Sequence, residues 1–424
     1  MNRKDFIAQT ATVTAGTTLL PISDLYATVS KEVGSSTTHQ NKYDVIVIGV
    51  GSMGSSTCYQ LAKRGVKVLG LEQFDIPHDL GSHAGQSRII RKAYFEHPDY
   101  VPLLERAYSN WKALEEETGS SLYYKTGLVY FGKSTHPLIS GLRESAQKYS
   151  IDVKDLTANQ TQSLYPNFRI PSTFERLVEP DAGFVTPERA ILLYTQQAIQ
   201  LGAEIHTKEE LIEWREQDKT ILVKTNKGEY TCEKLILTAG PWTSKVLPNL
   251  SKSLKVTRQV VAWVNPKNWK SFELGKFPCW TIADDQIPGI FYGFPILSPG
   301  EFGGPVGLKI AHHFQGEITD PNQTNRLINQ EEEENLKYAF TKFIPEGYHS
   351  THVLKTCLYT NTPDENFILD FVPGLHQNVV VAAGFSGHGF KFASVVGEIM
   401  ADLALKGKSS LPIEFLSASR FLVN

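Results

Sequence analysis

Cysteine is scarce in this chain. Only Cys58, Cys232, Cys279 and Cys357 occur in 424 residues. They form no CxxC pair and no metal-ligand spacing, which argues against a disulfide framework and a cysteine-based metal centre. Excess charge of one sign is also lacking: 42 basic residues face 45 acidic ones, for a net charge of −3. No basic footprint for nucleic acid or an anionic membrane surface is therefore expected. No run of about 18 apolar residues occurs, so no conventional membrane span is expected. Beyond the first 40 residues there is no low-complexity tract, and no internal repeat is seen. What remains is 41% hydrophobic and 21% charged, the composition of a globular chain with a large core. Its length suits roughly two to three domains.

The N-terminus differs in character. MNRKDFIAQTATVTAGTTLLP has a basic start, then a mildly apolar Ala- and Thr-rich stretch, then Pro21, and a polar tract follows it. Arg3-Lys4-x-Phe6-Ile7 resembles a twin-arginine export signal with lysine as the second basic residue. Residues 1–42 are expected to be an export signal and linker, which would place the chain in the periplasm. Read as a disordered tail instead, they leave it in the cytoplasm.

From Tyr43 the order becomes specific. Val45 to Ile48 is a β-branched apolar run suited to a strand buried on both faces. It leads into Gly49-x-Gly51-x-x-Gly54, then a helical segment Ser55 to Arg64, then a strand Val66 to Leu71 ending at Glu72. The first glycine makes the turn, the second admits a pyrophosphate and the third lets helix pack on strand. Glu72, eighteen residues past Gly54, can accept hydrogen bonds from ribose hydroxyls. A lone GxGxxG is weak evidence, but strand, glycines, helix, strand and acid in order mark an adenine-dinucleotide site. Glu72 favours a free ribose over a 2′-phosphate and does not separate NAD from FAD.

Downstream lies GSHAGQSRIIRKAYFEHPDY, in which Arg88 and Arg91 stand three apart. On a helical turn they would share a face, able to fork onto a carboxylate. A solvated basic face would look the same. Residues 255–350 alternate apolar positions with Pro and Gly turns, as an antiparallel sheet does. Residues 122–131 are expected to add a strand to it. Leu235 to Leu237 reads as a buried strand. NVVVAAGFSGHGFKFASVVGEIMADLAL reads as a last strand, a glycine loop and a long helix.

The motifs GSHAGQSRIIRKAY, KTGLVYFG, LTAGPW, CLYTNTPDENFILD and AAGFSGHGFKFA occur in this order, and with them the chain resembles the monomeric sarcosine oxidase family. That family includes sarcosine, N-methyltryptophan and pipecolate oxidases, and the likeness runs from Tyr43 onward. It implies an α/β chain in which a Rossmann-like FAD-binding domain (43–120, 190–250 and 351–424) interleaves with an antiparallel-sheet α+β substrate domain (121–189 and 251–350). On the residues alone Cys357 reads as a core cysteine. The resemblance instead implies a thioether from Cys357 to the 8α-methyl of FAD. It matches Arg91 and Lys391 to the residues holding the substrate carboxylate, and Lys309 to the lysine that promotes reaction with oxygen. His313 matches an active-site histidine, Arg88 an arginine near the flavin, and Tyr292 and Tyr359 tyrosines of the pocket. Gly387 and Gly389 lie in a loop whose amides would meet the flavin. One position departs: sarcosine oxidases carry a second histidine after the one matching His83, and here it is Ala84.

The implied activity is oxidation of a secondary, N-methyl or cyclic amino acid by hydride transfer to the flavin, with imine hydrolysis and reduction of oxygen to hydrogen peroxide. The expected partners are the amino acid and oxygen, with no nucleic acid, no metal and a monomeric chain. Three rival readings remain. A flavin dehydrogenase would pass electrons to a carrier. An NAD-dependent dehydrogenase would give Cys357 no role. A binding protein on the same scaffold would hold carboxylates without turnover.

Overall fold

The computed structural model describes residues 41–421. The expected leader lies outside the described residues, apart from its last two positions. The chain is a mixed α/β structure built on two large sheets.

The first sheet has eight strands. Its centre is the parallel run of Val379–Ala383, Glu229–Leu237, Lys42–Ile48, Val68–Leu71 and Glu204–His206. Side chains alternate across a strand, and the consequence is visible in the first one. Val45 and Val47 enter the core beneath the helices, while Ile46 and Ile48 enter a second core on the other face. Both faces are dry, which is why this strand reads as continuously apolar. Each such side chain contributes about 1.5–3 kcal/mol by leaving water. The helices Ser52–Ala62 and Ala393–Lys406 share the first core. The expected strand Leu235–Leu237 is the buried end of the longer Glu229–Leu237. Its first half pairs antiparallel with Thr220–Thr225, and its second half lies parallel to Lys42–Ile48.

The second sheet has nine strands and is mostly antiparallel, as the alternation in 255–350 predicts. One pair departs: Leu128–Gly132 runs parallel to Cys279–Asp284. The strand expected within 122–131 is two strands. Tyr123–Tyr124 joins a small three-stranded sheet, and Leu128–Gly132 joins the large one. The long strand Ser350–Asn361, which carries Cys357 and Tyr359, pairs along its length with Lys255–Asn265.

The Arg88/Arg91 segment is not helical. Arg88–Ile90 is a strand paired antiparallel with Gly183–Val185. The three-residue spacing therefore does not put the two guanidinium groups on one helical face, although both reach the wall of one cavity.

Candidate active site

The carboxyl ends of the parallel strands open into a cavity of about 640 Å³, of a size usual for a ligand site. Gly49, Gly51 and Glu72 line it. Gly49 turns at φ +90°, a conformation glycine adopts freely. Gly54 does not reach the cavity surface. A Cβ there would stand 1.8 Å from the Gly49 carbonyl oxygen, so its role is to let the helix start against the turn. Glu72 accepts from the N–H of Val50 at 2.9 Å and of Phe74 at 3.0 Å. Burial still lifts its carboxyl to about 7, against those N–H groups.

The face that the nine-stranded sheet turns to the cavity follows from its period of two. Cys357 and Tyr359 project from one strand, His313 from Leu308–His313 and Tyr292 from Ile287–Phe294, and all four line the cavity. His312 points the other way, stacked on Phe291 at 4.2 Å and bonded to the Pro288 carbonyl and Asn335. The paired histidines are thus one cavity residue and one structural residue. Burial lowers His313 to about 4, so it is neutral at physiological pH. Burial raises the hydroxyls of Tyr292 and Tyr359, keeping both protonated.

All four cysteines are free; Cys58, Cys232 and Cys279 are buried and Cys357 is half-buried. Burial pushes the thiols of Cys58, Cys232 and Cys279 up to about 12. Cys357 is also raised by burial, but Arg88, Lys309 and Arg326 act against that rise. It is the cysteine that lines the cavity.

Arg91 and Lys391 both line the cavity, with Gly387, Gly389 and His388. Arg91 is held between the rings of Tyr94 and Phe95, at 4.3 and 4.4 Å. It donates to the Ala93 carbonyl at 2.8 Å and to both oxygens of Glu96 at 2.7 Å. Burial alone would raise the Glu96 carboxyl; Arg91, with His388 and Lys391, holds it down at about 2. Lys391 donates to the His388 carbonyl at 2.7 Å. Burial, then the charge of Arg91, lowers Lys391 to about 7. Glu96, also on the cavity wall, is the functional residue missed in the sequence. Its only signal there was an acid five positions past Arg91.

Lys309 does not line the large cavity. It lies beside a void of about 10 Å³, lined also by Arg88, Gln259, Tyr292, Cys357 and Tyr359, room for about one water. Its ammonium donates to the carbonyls of Gly85 at 2.5 Å and Ser87 at 2.8 Å. Its cross-strand neighbours are Trp263 and Phe294, whose rings lie 5.5 and 4.5 Å from it. Arg88 donates to the carbonyls of Ser87, Ser82 and Ala84. No group of three or more His, Cys, Asp or Glu side chains suited to a metal occurs among the described residues. Nor is any helix among them long and apolar enough to cross a membrane.

These residues fit a flavin dinucleotide. The glycine turn, buried acid and helix start suit its pyrophosphate and ribose. The cavity wall also carries His83, whose buried Nε2 has no hydrogen-bond partner among the described residues.

Residues 44–403 match the DAO family model, described as FAD dependent oxidoreductase. The chain is 39% identical over 384 residues to a monomeric sarcosine oxidase of Bacillus sp. strain B-0618, covering 89% of this chain and 96% of that one. It is 33% identical over 371 residues to an N-methyl-L-tryptophan oxidase of Citrobacter koseri, covering 87% and 96%. Among solved structures, NikD, an unusual amino acid oxidase essential for nikkomycin biosynthesis, superposes with a TM-score of 0.78 at 25% identity, covering 89% and 98%. An L-proline dehydrogenase from P. horikoshii gives 0.76 at 25%, covering 90% and 98%.

Proposed function

This chain belongs to the family of FAD-dependent oxidoreductases, and from that membership we propose that it is an oxidase of secondary amino acids. Its substrates are N-methyl or cyclic amino acids such as sarcosine, pipecolate or N-methyltryptophan. The observation that carries this reading is the meeting of two buried cations, Arg91 and Lys391, with the dinucleotide turn in one cavity. FAD, held by the glycine turn and Glu72, would supply the two-electron acceptor for a hydride equivalent from the carbon next to nitrogen, with oxygen as the final acceptor. The protein's part is placement and charge. Arg91 and Lys391 hold the substrate carboxylate, which orients the C–N bond. The half-buried, neutral His313 and the two tyrosines line the pocket without adding charge to it. The imine product is hydrolysed by water to an amine and a carbonyl compound. Lys309, assisted by Arg88, supplies positive charge where oxygen is reduced to hydrogen peroxide. The chain is proposed to work as a monomer, as the name of the Bacillus relative says of that protein.

Cys357 would carry the flavin as a thioether to its 8α-methyl. Two features support this: it alone of the four cysteines lines the cavity, and the basic side chains of Arg88, Lys309 and Arg326 act to stabilise its thiolate. Acid-precipitated native protein is expected to pellet yellow, and Cys357→Ser is expected to leave the colour in the supernatant. Colour in the supernatant from both would remove the tether from the account.

Lys391 gives the free enzyme a pH dependence. It loses its proton as pH rises through about 7, so affinity for a carboxylate inhibitor should fall above that pH by about tenfold per unit at the limit. Titrating inhibitor binding from pH 6 to 9 checks this, and Lys391→Met should be weak and flat throughout. An unchanged slope in that variant would assign the titration to another group.

The dehydrogenase neighbour makes a carrier-linked reaction the one rival with an observation behind it. Peroxide formed one-for-one with substrate under air supports the oxidase, and its absence supports the carrier.

A further inference from the structure

Lys309 is buried, and the backbone that holds it is itself held by a residue not yet assigned a role. Its ammonium is fixed by the carbonyls of Gly85 and Ser87. Those carbonyls belong to a turn with two left-handed residues, Gly85 at φ +120° and Gln86 at φ +66°. A side chain is strained at Gln86 and persists there only because its surroundings over-determine it. Glu188, in the first turn of the helix Pro187–Gln200, supplies much of that constraint. Its carboxylate accepts from the N–H of Gly85 at 2.6 Å and of Gln86 at 3.1 Å. The Gln86 side chain completes the clamp, donating to the Gly303 carbonyl and accepting from the Trp263 indole at 2.7 Å. Glu188 forms no ion pair among the described residues.

We infer that Glu188 is a positioning residue for Lys309. It holds the turn whose carbonyls fix the ammonium, and it supplies the counter-charge of an otherwise cationic pocket. The inference rests on the oxidase reading only for the role given to Lys309. The charges around that lysine support it. Burial, then Arg88, drives Lys309 well below the ordinary lysine range, and Glu188 is the first of the groups acting against that fall. The other two, Cys357 from the long strand and Cys279 from Cys279–Asp284, are thiols raised by burial. Glu188 is thus the carboxylate among the strongest influences on Lys309.

The test uses the flavin-loaded enzyme and two variants. Glu188→Gln keeps an acceptor oxygen and removes the charge; Glu188→Ala removes both. Three quantities are read: anaerobic reduction by substrate, reoxidation by oxygen, and the pH titration of the visible flavin absorption without substrate. Reduction is expected to stay within about twofold. Reoxidation at neutral pH should fall about tenfold in the glutamine variant, the equivalent of one pKa unit, and further in the alanine variant. The midpoint of the spectral titration should move to lower pH, because losing a nearby negative charge disfavours the ammonium. Unchanged reoxidation with an unmoved midpoint would overturn the assignment, as would an equal loss in both half-reactions. Should the alanine variant not fold, the glutamine variant decides alone. Should the native reduced enzyme fail to react with oxygen, the oxidase reading falls, and the spectral shift still decides for or against Glu188.

Discussion

Lys309→Met enzyme is expected to be reduced by substrate at close to the native rate and to react with oxygen about 10²–10³-fold more slowly. The reason is geometric and electrostatic. The ammonium is fixed by the Gly85 and Ser87 carbonyls and flanked by two aromatic rings, so it cannot swing away. A preorganised charge in a dry site stabilises negative charge developing on oxygen without reorganisation. Methionine keeps the length and the ring contacts and removes the charge together with the hydrogen bonds to the two carbonyls. Lys309 also lies off the substrate cavity, so substrate binding should be spared. Stopped-flow measurement of the two half-reactions separates the effects. Equal rates of reoxidation in native and variant enzyme would remove Lys309 from the mechanism.

Arg91→Ala is expected to fail twice, once in binding and once in folding. Loss of one of two carboxylate partners should raise the apparent dissociation constant for any amino-acid substrate by about 10–10²-fold, at about 1.5–3 kcal/mol per charged hydrogen bond. It also strands Glu96. Breaking a buried ion pair by removing one partner costs about 3–5 kcal/mol. The pH dependence gives the sign. In the native protein the Glu96 carboxyl is depressed to about 2. The stability it contributes is present above the ordinary carboxyl range and is lost as pH falls toward 2. Without Arg91, burial dominates and raises the carboxyl instead, so the variant should be least stable at neutral pH and recover part of its melting temperature on mild acidification. The pair Arg91→Met with Glu96→Gln should regain stability at neutral pH but not substrate affinity. Recovery of both would mean that Arg91 serves the fold and not the substrate.

The pairing of Arg91 with Glu96 also shows where sequence reading stopped. The dinucleotide unit was legible because its physics is local. An apolar strand, a glycine turn and a helix start are all written within neighbouring residues, and the structure places them at Lys42–Ile48 and Ser52–Ala62. The helical turn that would put Arg88 and Arg91 on one face does not form, because Arg88–Ile90 pairs with Gly183–Val185, a partner far downstream. The one signal of Glu96, an acid five positions past Arg91, is ordinary on a surface and becomes informative only once the two are known to pair on a cavity wall. The same holds for Glu188. Its importance lies in two backbone N–H groups contributed by a distant turn. By residue type alone the four cysteines look alike; the resemblance sets Cys357 apart, and the cavity wall carries it and none of the other three.

The measurement that bears most directly on the account is anaerobic mixing of the purified yellow protein with secondary amino acids, followed by admission of oxygen. Sarcosine, pipecolate, proline and N-methyltryptophan cover the range of shapes. The account predicts that at least one bleaches the flavin absorbance fully without oxygen, and that oxygen restores it with one hydrogen peroxide formed per substrate consumed. A flavin that none of these amines bleaches would contradict the proposed activity at its centre.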